Sequence, residues 1–431
     1  VTRLHPASLH GSLQDPILGS IGMLNEVMSR YPQAISFAPG APHPELAEDV
    51  DFQRYIETYL AHLTRNKGIG REQARRMLLE YGPSRGLIND VVAQALRRDY
   101  GIDSPESAIV ITVGAQEAML LVLRALFATP ADTLAVTNPC FVGVTGAARL
   151  LNIDVVGIDE TMAGLDLDAL QKACAAARSG GRRVRACYVA PDFSNPSGSR
   201  MTLDCRRRLL ELAEQEDLLL IEDNAYGFTA ESGSEFPPLK ALDPGGRVIH
   251  VGTFAKVGFP GARVGYVVAD QHLAAEGGGE RLLAAGIADI KSFCTVNTSP
   301  ICQAVIGGLL LEHGGSLIAL SRSKLHLYRR NLTCLADALD RHLRDGTPPG
   351  IRWNRPKGGF FICMDLPVPV NDALLEISAE KYGVLWVPMS QFYIGGGGGN
   401  RLRLSCSYLD PGQIETGVER LARFLRNEIR P

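Results

Sequence analysis

From Ser107 onward the chain alternates short runs of β-branched and aliphatic residues with stretches whose apolar positions recur every three or four residues. Residues 108–113, 133–137, 155–158, 184–189, 218–221, 248–251 and 263–268 read as strands, and 116–127 as the first of the intervening helices. This alternation predicts an α/β fold, a mostly parallel central sheet with helices on both faces. Ligands of such sheets gather beyond the carboxyl ends of the strands. Five predicted strand ends carry polar, Gly or Pro residues: Thr112-Val113-Gly114, Asn138-Pro139, the segment 191–198, Asp223 and the segment 253–256. Chemistry is therefore expected along that one edge.

Past residue 300 the pattern changes. A long helical stretch over 301–342 is followed by short strands near 360–364 and 401–405, which reads as a linking helix and a smaller α+β domain. The first forty-odd residues, with Ser36-Phe37-Ala38-Pro39-Gly40-Ala41-Pro42, are extended and turn-rich. The expected organisation is an arm over 1–45 that belongs to the small domain, a large domain over 46–300, and the linking helix with the small C-terminal domain over 301–431. Gly277 to Gly279 and Gly395 to Gly399 are read as mobile loops.

A chain of 431 residues is long enough for one large core and a smaller one. With a formal net charge of -3, nothing in it marks a nucleic-acid surface. The nine cysteines are scattered and never spaced Cys-x-x-Cys, so neither a disulfide framework nor a metal site is expected. No charged-then-apolar leader pattern opens the sequence and no apolar run approaches the length of a membrane span. The expectation is a protein that works in the cytoplasm, away from membranes.

Position 256 then changes the picture. His250-Val251-Gly252-Thr253-Phe254-Ala255-Lys256 sets a lysine at the end of an apolar strand, followed by Pro260-Gly261-Ala262-Arg263. In an apolar, partly dry pocket beside other cations a lysine loses proton affinity, and its neutral amine condenses with an aldehyde; the competing reading is a solvated surface lysine. Asp223 ends another apolar strand, where an unpaired carboxylate is costly. It either pairs with a pyridinium nitrogen or caps a helix starting near Asn224. Tyr226 and Asn195 are candidates for the 3-oxygen of such a ring, although Asn195-Pro196-Ser197-Gly198 alone is a common turn. For a phosphate, Gly114-Ala115-Gln116 opens a helix after a strand, Thr253 adds a hydroxyl and Arg263 a bidentate guanidinium. Phe141 either stacks on the ring or belongs to the core. Arg403 alternates with apolar neighbours along a predicted strand, so it meets the α-carboxylate of an amino acid or an internal acid.

Jointly these residues resemble the fold-type I pyridoxal phosphate enzymes, specifically the class I/II aminotransferases of the branch with aminoadipate, kynurenine and multi-substrate enzymes. The likeness runs from Ile35-Ser36-Phe37-Ala38-Pro39-Gly40, through Tyr81-Gly82-Pro83-Ser84-Arg85-Gly86 and Thr112-Val113-Gly114-Ala115-Gln116-Glu117-Ala118, to Pro356-Lys357-Gly358-Gly359-Phe360-Phe361 and the Arg403 strand. The resemblance implies pyridoxal 5'-phosphate as cofactor, with Lys256 as the lysine that carries it, Asp223 as the pyridine partner, and Tyr226 and Asn195 on the 3-oxygen. It implies a phosphate cup of Arg263, Thr253 and Gly114-Ala115-Gln116, and Phe141 as the stacking aromatic. Arg403 takes the place of the α-carboxylate anchor, with Asn195, Gly40 and Phe360 as further substrate contacts. Tyr81 matches a tyrosine that reaches the partner subunit's cofactor, which implies a homodimer with shared sites.

Three departures border the pocket. Thr253-Phe254-Ala255-Lys256 replaces the commoner Ser-Phe-Ser-Lys, Pro39 stands where the branch often has Gly, and Met389-Ser390 where it usually has Pro-Gly. With its Arg-rich composition the chain is similar to aminotransferases of actinomycete secondary metabolism, such as those that make arylglycines like dihydroxyphenylglycine.

The expected reaction is a ping-pong transfer of an amino group between an amino acid and a 2-oxo acid. Phe360, Phe361, Trp386 and Ile21 are expected near the pocket and no second arginine is committed to a distal carboxylate, so the substrate side chain is expected to be aromatic or otherwise neutral. An aminoadipate-type aminotransferase is one alternative. A lyase, cyclase or oxidase outcome with the same cofactor is another. A third, the effector-sensing half of a transcription regulator, is opposed by the mildly acidic charge and by the lack of a basic helix-turn-helix segment before residue 35.

Overall fold

The computed structural model describes residues 2–15, 18, 26–47, 50–231, 233–275, 279–344 and 348–429. Strand β1 (Ile35–Ser36) stands apart from the central sheet. That sheet contains β2 (Ile109–Thr112), β3 (Asp132–Asn138), β4 (Asp154–Thr161), β5 (Gly164–Leu165), β6 (Arg183–Val189), β7 (Leu219–Asp223), β8 (Val248–Thr253) and β9 (Gly265–Val268). Its spatial order is β2-β9-β8-β7-β6-β3-β4-β5. Strands β4, β3, β6, β7 and β8 run parallel, whereas β9 is antiparallel to both its neighbours and β5 to β4. All seven apolar runs are strands. β7 and β8 continue past theirs to Asp223 and Thr253, because ladder hydrogen bonds are made by the backbone and tolerate polar side chains at a strand's end.

Alternate residues of the sheet feed separate cores. Val110, Val136, Tyr188, Ile221 and Val251 pack with the helices Gly114–Leu126, Val142–Leu150 and Leu283–Cys294. On the other face Cys187, Leu220 and Val248 meet Leu167–Ser179 and Leu203–Gln215. Ile109, Ile111 and Val268 on that face meet Phe52–Lys67, Asn89–Tyr100 and Pro300–Glu312. Covering both faces explains why the parallel strands are apolar throughout. Every parallel strand therefore delivers its last residues to one edge.

β10 (His272–Ala275) and β11 (Gly279–Leu282) form a hairpin. Gly279 thus opens a strand instead of a loop, and Gly277 and Gly278 lie outside the described residues. The second sheet is antiparallel, with β12 (Arg352–Trp353), β13 (Phe361–Asp365), β15 (Val387–Pro388) and β16 (Arg401–Ser405) in the order β12-β13-β16-β15. β14 (Val384–Leu385) pairs with β1 in parallel, which ties 35–36 to the C-terminal part. The core beneath is formed by Trp386, Phe424, Leu339 and their neighbours. The stretch 395–399 is an irregular loop leading into β16.

The single long helix expected over 301–342 is two. Pro300–Glu312 and Leu317–Leu343 meet at 86°. Gly314 and Gly315 both adopt left-handed φ, at 66° and 67°, and the Ser316 hydroxyl caps the second helix on the Ala319 N–H. Among the described residues no single helix is long and apolar enough to cross a membrane.

Candidate active site

Beyond β8 the chain makes one helical turn, Phe254–Val257, and this turn carries Lys256. Thr253 caps it, its Oγ1 accepting from the Ala255 N–H at 3.1 Å. Lys256 faces a cavity of about 500 Å³ shared with Asn195, Asp223, Tyr226, Arg403 and Phe141. Its Nζ donates to Gly40 O at 2.6 Å, which ties the N-terminal segment to the sheet edge. Burial lowers the Lys256 pKa to about 8; Arg403 and Arg263 push the same way and Asp223 opposes them. Lys256 is half-buried and faces the cavity, so it is not a solvated surface lysine.

Asp223 sits on the neighbouring strand end. No helix begins at Asn224, since only the 3-10 turn Gly227–Thr229 follows, so the capping role falls away. Oδ2 accepts a hydrogen bond from the Tyr188 hydroxyl at 2.7 Å, while Oδ1 is buried and has no partner among the described residues. Burial raises the carboxyl pKa to about 6, against the Tyr188 hydrogen bond and the nearby charges of His250 and Lys256. A buried carboxylate oxygen left open toward a cavity calls for a cationic N–H donor. Tyr226, near Asn195, rests edge-on against Phe360 at 5.1 Å and Phe361 at 5.7 Å.

At the other end of the cleft Gly114 opens the helix Gly114–Leu126 with φ +74°. A Cβ there would lie 2.6 Å from Arg263 Nη2, so glycine is what lets the guanidinium settle on the helix N-terminus. Arg263, itself left-handed at φ 49°, makes no ion pair among the described residues. Its Nη2 makes one long hydrogen bond, to Val113 O at 3.5 Å. Free N–H groups, the positive end of a helix dipole and a guanidinium without a carboxylate partner are what a phosphate needs. The Gln116 side chain is occupied elsewhere, its Nε2 donating to Gly143 O at 2.8 Å. Its backbone remains in the turn. Phe141 lies at the mouth of the next helix, Val142–Leu150, and lines the cleft.

Arg403 projects from β16 between two aromatic faces, Phe361 at 4.4 Å and Phe392 at 5.2 Å. Nη1 donates to Asn195 Oδ1 at 2.6 Å and Nη2 to Ala38 O at 2.8 Å, but Nε is buried without a partner. No internal Asp or Glu pairs with it among the described residues. Burial pulls its pKa down to about 10, and the open Nε leaves room for a carboxylate partner.

Not every expected residue is at the cleft. Phe360 is fully buried between Tyr226 and Tyr328, 4.3 Å from the latter, so it supports the Tyr226 ring instead of touching a substrate. Phe361 is buried under Arg403 and against Gly40. Trp386 belongs to the core beneath the antiparallel sheet, its Nε1 donating to Ser378 Oγ at 2.9 Å. Ile21 lies outside the described residues. Tyr81 is 89% exposed and does not line the cleft of its own chain. The apolar wall is instead Met28, Met119, Val142, Val387 and Phe392, with Gln391 among them. Tyr188 went unread because it lies inside an apolar strand; its signal was a hydroxyl-bearing ring on the strand next to Asp223. Among the described residues no group of His, Cys, Asp and Glu is arranged to hold a metal ion.

Comparison with known proteins identifies the family. The family model for aminotransferase class I and II matches residues 58–421. The chain is 46% identical over 430 residues to the (S)-3,5-dihydroxyphenylglycine transaminase of Amycolatopsis orientalis, covering 100% of this chain and 96% of that one. It is 30% identical to aromatic-amino-acid aminotransferase 1 of Thermococcus litoralis, over 83% of this chain and 82% of that protein. The structure superposes on the kynurenine aminotransferase of Pyrococcus horikoshii, solved with PMP, with a TM-score of 0.81, 29% identity and 95% of each chain covered. The orphaned Asp223 oxygen, the Gly114–Arg263 cradle and the half-buried Lys256 with its lowered pKa suit a phosphorylated pyridine aldehyde. The chain belongs to the class I and II aminotransferases and is a pyridoxal phosphate-dependent enzyme that transfers amino groups.

Proposed function

We propose that this enzyme exchanges the amino group of an arylglycine of the dihydroxyphenylglycine kind with a 2-oxo acid. The observation that carries the reading is the charge layout of the cleft. Arg403 is a buried cation with an open donor at one end, while the wall of Met28, Met119, Val142, Val387 and Phe392 bears no second cation. An α-carboxylate is thus welcome, and a second carboxylate on the side chain meets no counter-charge. The likeness to the Amycolatopsis transaminase supports the same substrate class.

In this reading each residue has one task. Arg403, held by Asn195, binds the α-carboxylate and fixes the Cα–H bond relative to Lys256. Arg263 with the N–H groups of Gly114, Ala115 and Gln116 would grip the phosphate, with the Thr253 hydroxyl beside them. Asp223 Oδ1 would keep the ring nitrogen protonated, Tyr226 and Asn195 would hold the 3-oxygen, and Phe141 would cover the ring. Bound pyridoxal phosphate supplies the electron sink for the pair left when the α-proton departs. The neutral Lys256 amine would take that proton and return it. The two half-reactions share the cleft, which gives ping-pong kinetics. With the 2-oxo acid of dihydroxyphenylglycine as acceptor, aromatic donors are expected to exceed glutamate and aminoadipate about 100-fold in kcat/KM, the cost of a buried unpaired carboxylate. A screen in which glutamate or aminoadipate leads by orders of magnitude overturns the reading.

The exposed residues support a homodimer with shared sites. Tyr81 and Phe293 are 89% and 93% exposed, and Leu79, Val296 and Ile301 are exposed too. Gly82 approaches Pro300 and Asn297, which joins the two segments into one apolar patch. Mixing Tyr81→Ala with Lys256→Ala chains is expected to restore activity, since one site of each hybrid then keeps both residues. Inactive mixtures of exchanging subunits contradict the sharing.

A further inference from the structure

Lys324 lies in the helix Leu317–Leu343, buried, and no carboxylate pairs with it among the described residues. Its Nζ donates to two backbone carbonyls, Val257 O and Gly258 O, the latter at 2.6 Å. These belong to the two residues that follow Lys256. The turn Phe254–Val257 is a single helical turn closed by the Gly258 N–H on Phe254 O at 2.7 Å, and a turn so short leaves its terminal carbonyls without helical donors. Water would satisfy them at no cost in buried charge. A cation drawn into an apolar site to do so suffers desolvation, which lowers its pKa to about 8.

The helix that supplies Lys324 belongs to both halves of the molecule. Leu317, Leu320 and Tyr328 share a core with Phe254 and Val257, whereas Leu332, Leu335, Leu339 and Leu343 share one with the antiparallel sheet. One turn beyond Lys324, Tyr328 packs on Phe360 and Phe360 on Tyr226. A single helix therefore touches the Lys256 turn directly, through Lys324, and reaches the Tyr226 ring through Phe360. We propose that Lys324 is a positioning residue for Lys256, a brace that fixes the direction in which the Lys256 side chain leaves the backbone and ties it to the arginine-bearing half of the fold. The proposal rests on Lys256 being the lysine that carries the cofactor.

The test uses the full-length, cofactor-loaded protein and Lys324→Met, Lys324→Gln and Lys324→Arg. In all of them borohydride is expected to trap one cofactor per chain at Lys256. Lys324→Met is expected to lower kcat about tenfold with KM held within about twofold, the loss of hydrogen bonds from a charged donor. It is also expected to shift the visible absorption of the loaded protein and slow colour development when unloaded protein takes up the cofactor. Lys324→Arg restores most of each. If Lys324→Met does not fold, Lys324→Gln, which keeps an amide donor for one carbonyl, is read in its place and is expected to fall between Met and the parent. A folded Met or Gln variant with kcat, absorption and uptake all unchanged overturns the brace. Failure to trap cofactor at Lys256 in the parent instead overturns the reading beneath it, and the brace falls with it.

Discussion

Lys256→Ala is expected to lower kcat by at least about 10⁴-fold, the upper range for a lost general base, and to abolish the adduct that borohydride traps. The fold should persist, because the Lys256 amine makes one hydrogen bond, to Gly40 O, and its removal relieves a buried cation. Lys256→Arg should fail as badly, since a guanidinium does not release its proton. The lowered pKa adds a pH signature. Burial, Arg403 and Arg263 disfavour the charged amine, so the reactive neutral form grows as pH rises through about 8 and then levels off. Colour development on adding pyridoxal phosphate to unloaded protein, followed by stopped-flow absorption, should trace that curve. A rate that plateaus far below that pH, or one that rises only near the ordinary lysine pKa, would show that these neighbours do not set the amine's affinity for its proton.

The catalytic edge was legible in the sequence because polar residues end otherwise apolar runs. Asp223 and Thr253 stand where β7 and β8 stop, and Gly114 where β2 gives way to a helix. A strand that must be apolar through the sheet has no reason to end on an acid unless that end faces something else. The linking helix was misread, although His313-Gly314-Gly315-Ser316 carries a glycine pair followed by a cap residue, a local signal of a break. Residues whose place depends on distant contacts gave no such signal. Phe360 and Phe361 are adjacent in sequence, yet one lies between Tyr226 and Tyr328 and the other under Arg403. Trp386 sits two residues from the end of β15 but points into a core closed by Phe424. Strand alternation fixes which residues share a face, not whether that face meets the cleft or the core.

Asp223→Ala is expected to reduce kcat by roughly 10² to 10⁴, from the 3–5 kcal/mol lost when one partner of a buried charge pair is removed. Shape alone does not account for this, and Asp223→Asn separates the two contributions. Asparagine keeps the volume and can still accept from the Tyr188 hydroxyl, which now donates to Oδ2 at 2.7 Å. It lacks the negative charge that holds a ring nitrogen protonated, so nearly the whole loss should remain. The KM for the amino donor should change little, because Arg403 is held by Asn195 and Ala38 O and makes no contact with Asp223. The unpartnered oxygen makes the argument specific to a cation: a structural carboxylate at this depth would have both oxygens satisfied, and here one is left open. An Asp223→Asn enzyme within tenfold of the parent in kcat would mean that the charge at the end of β7 serves the sheet, with Tyr188 its true partner, and that the ring nitrogen finds its proton elsewhere.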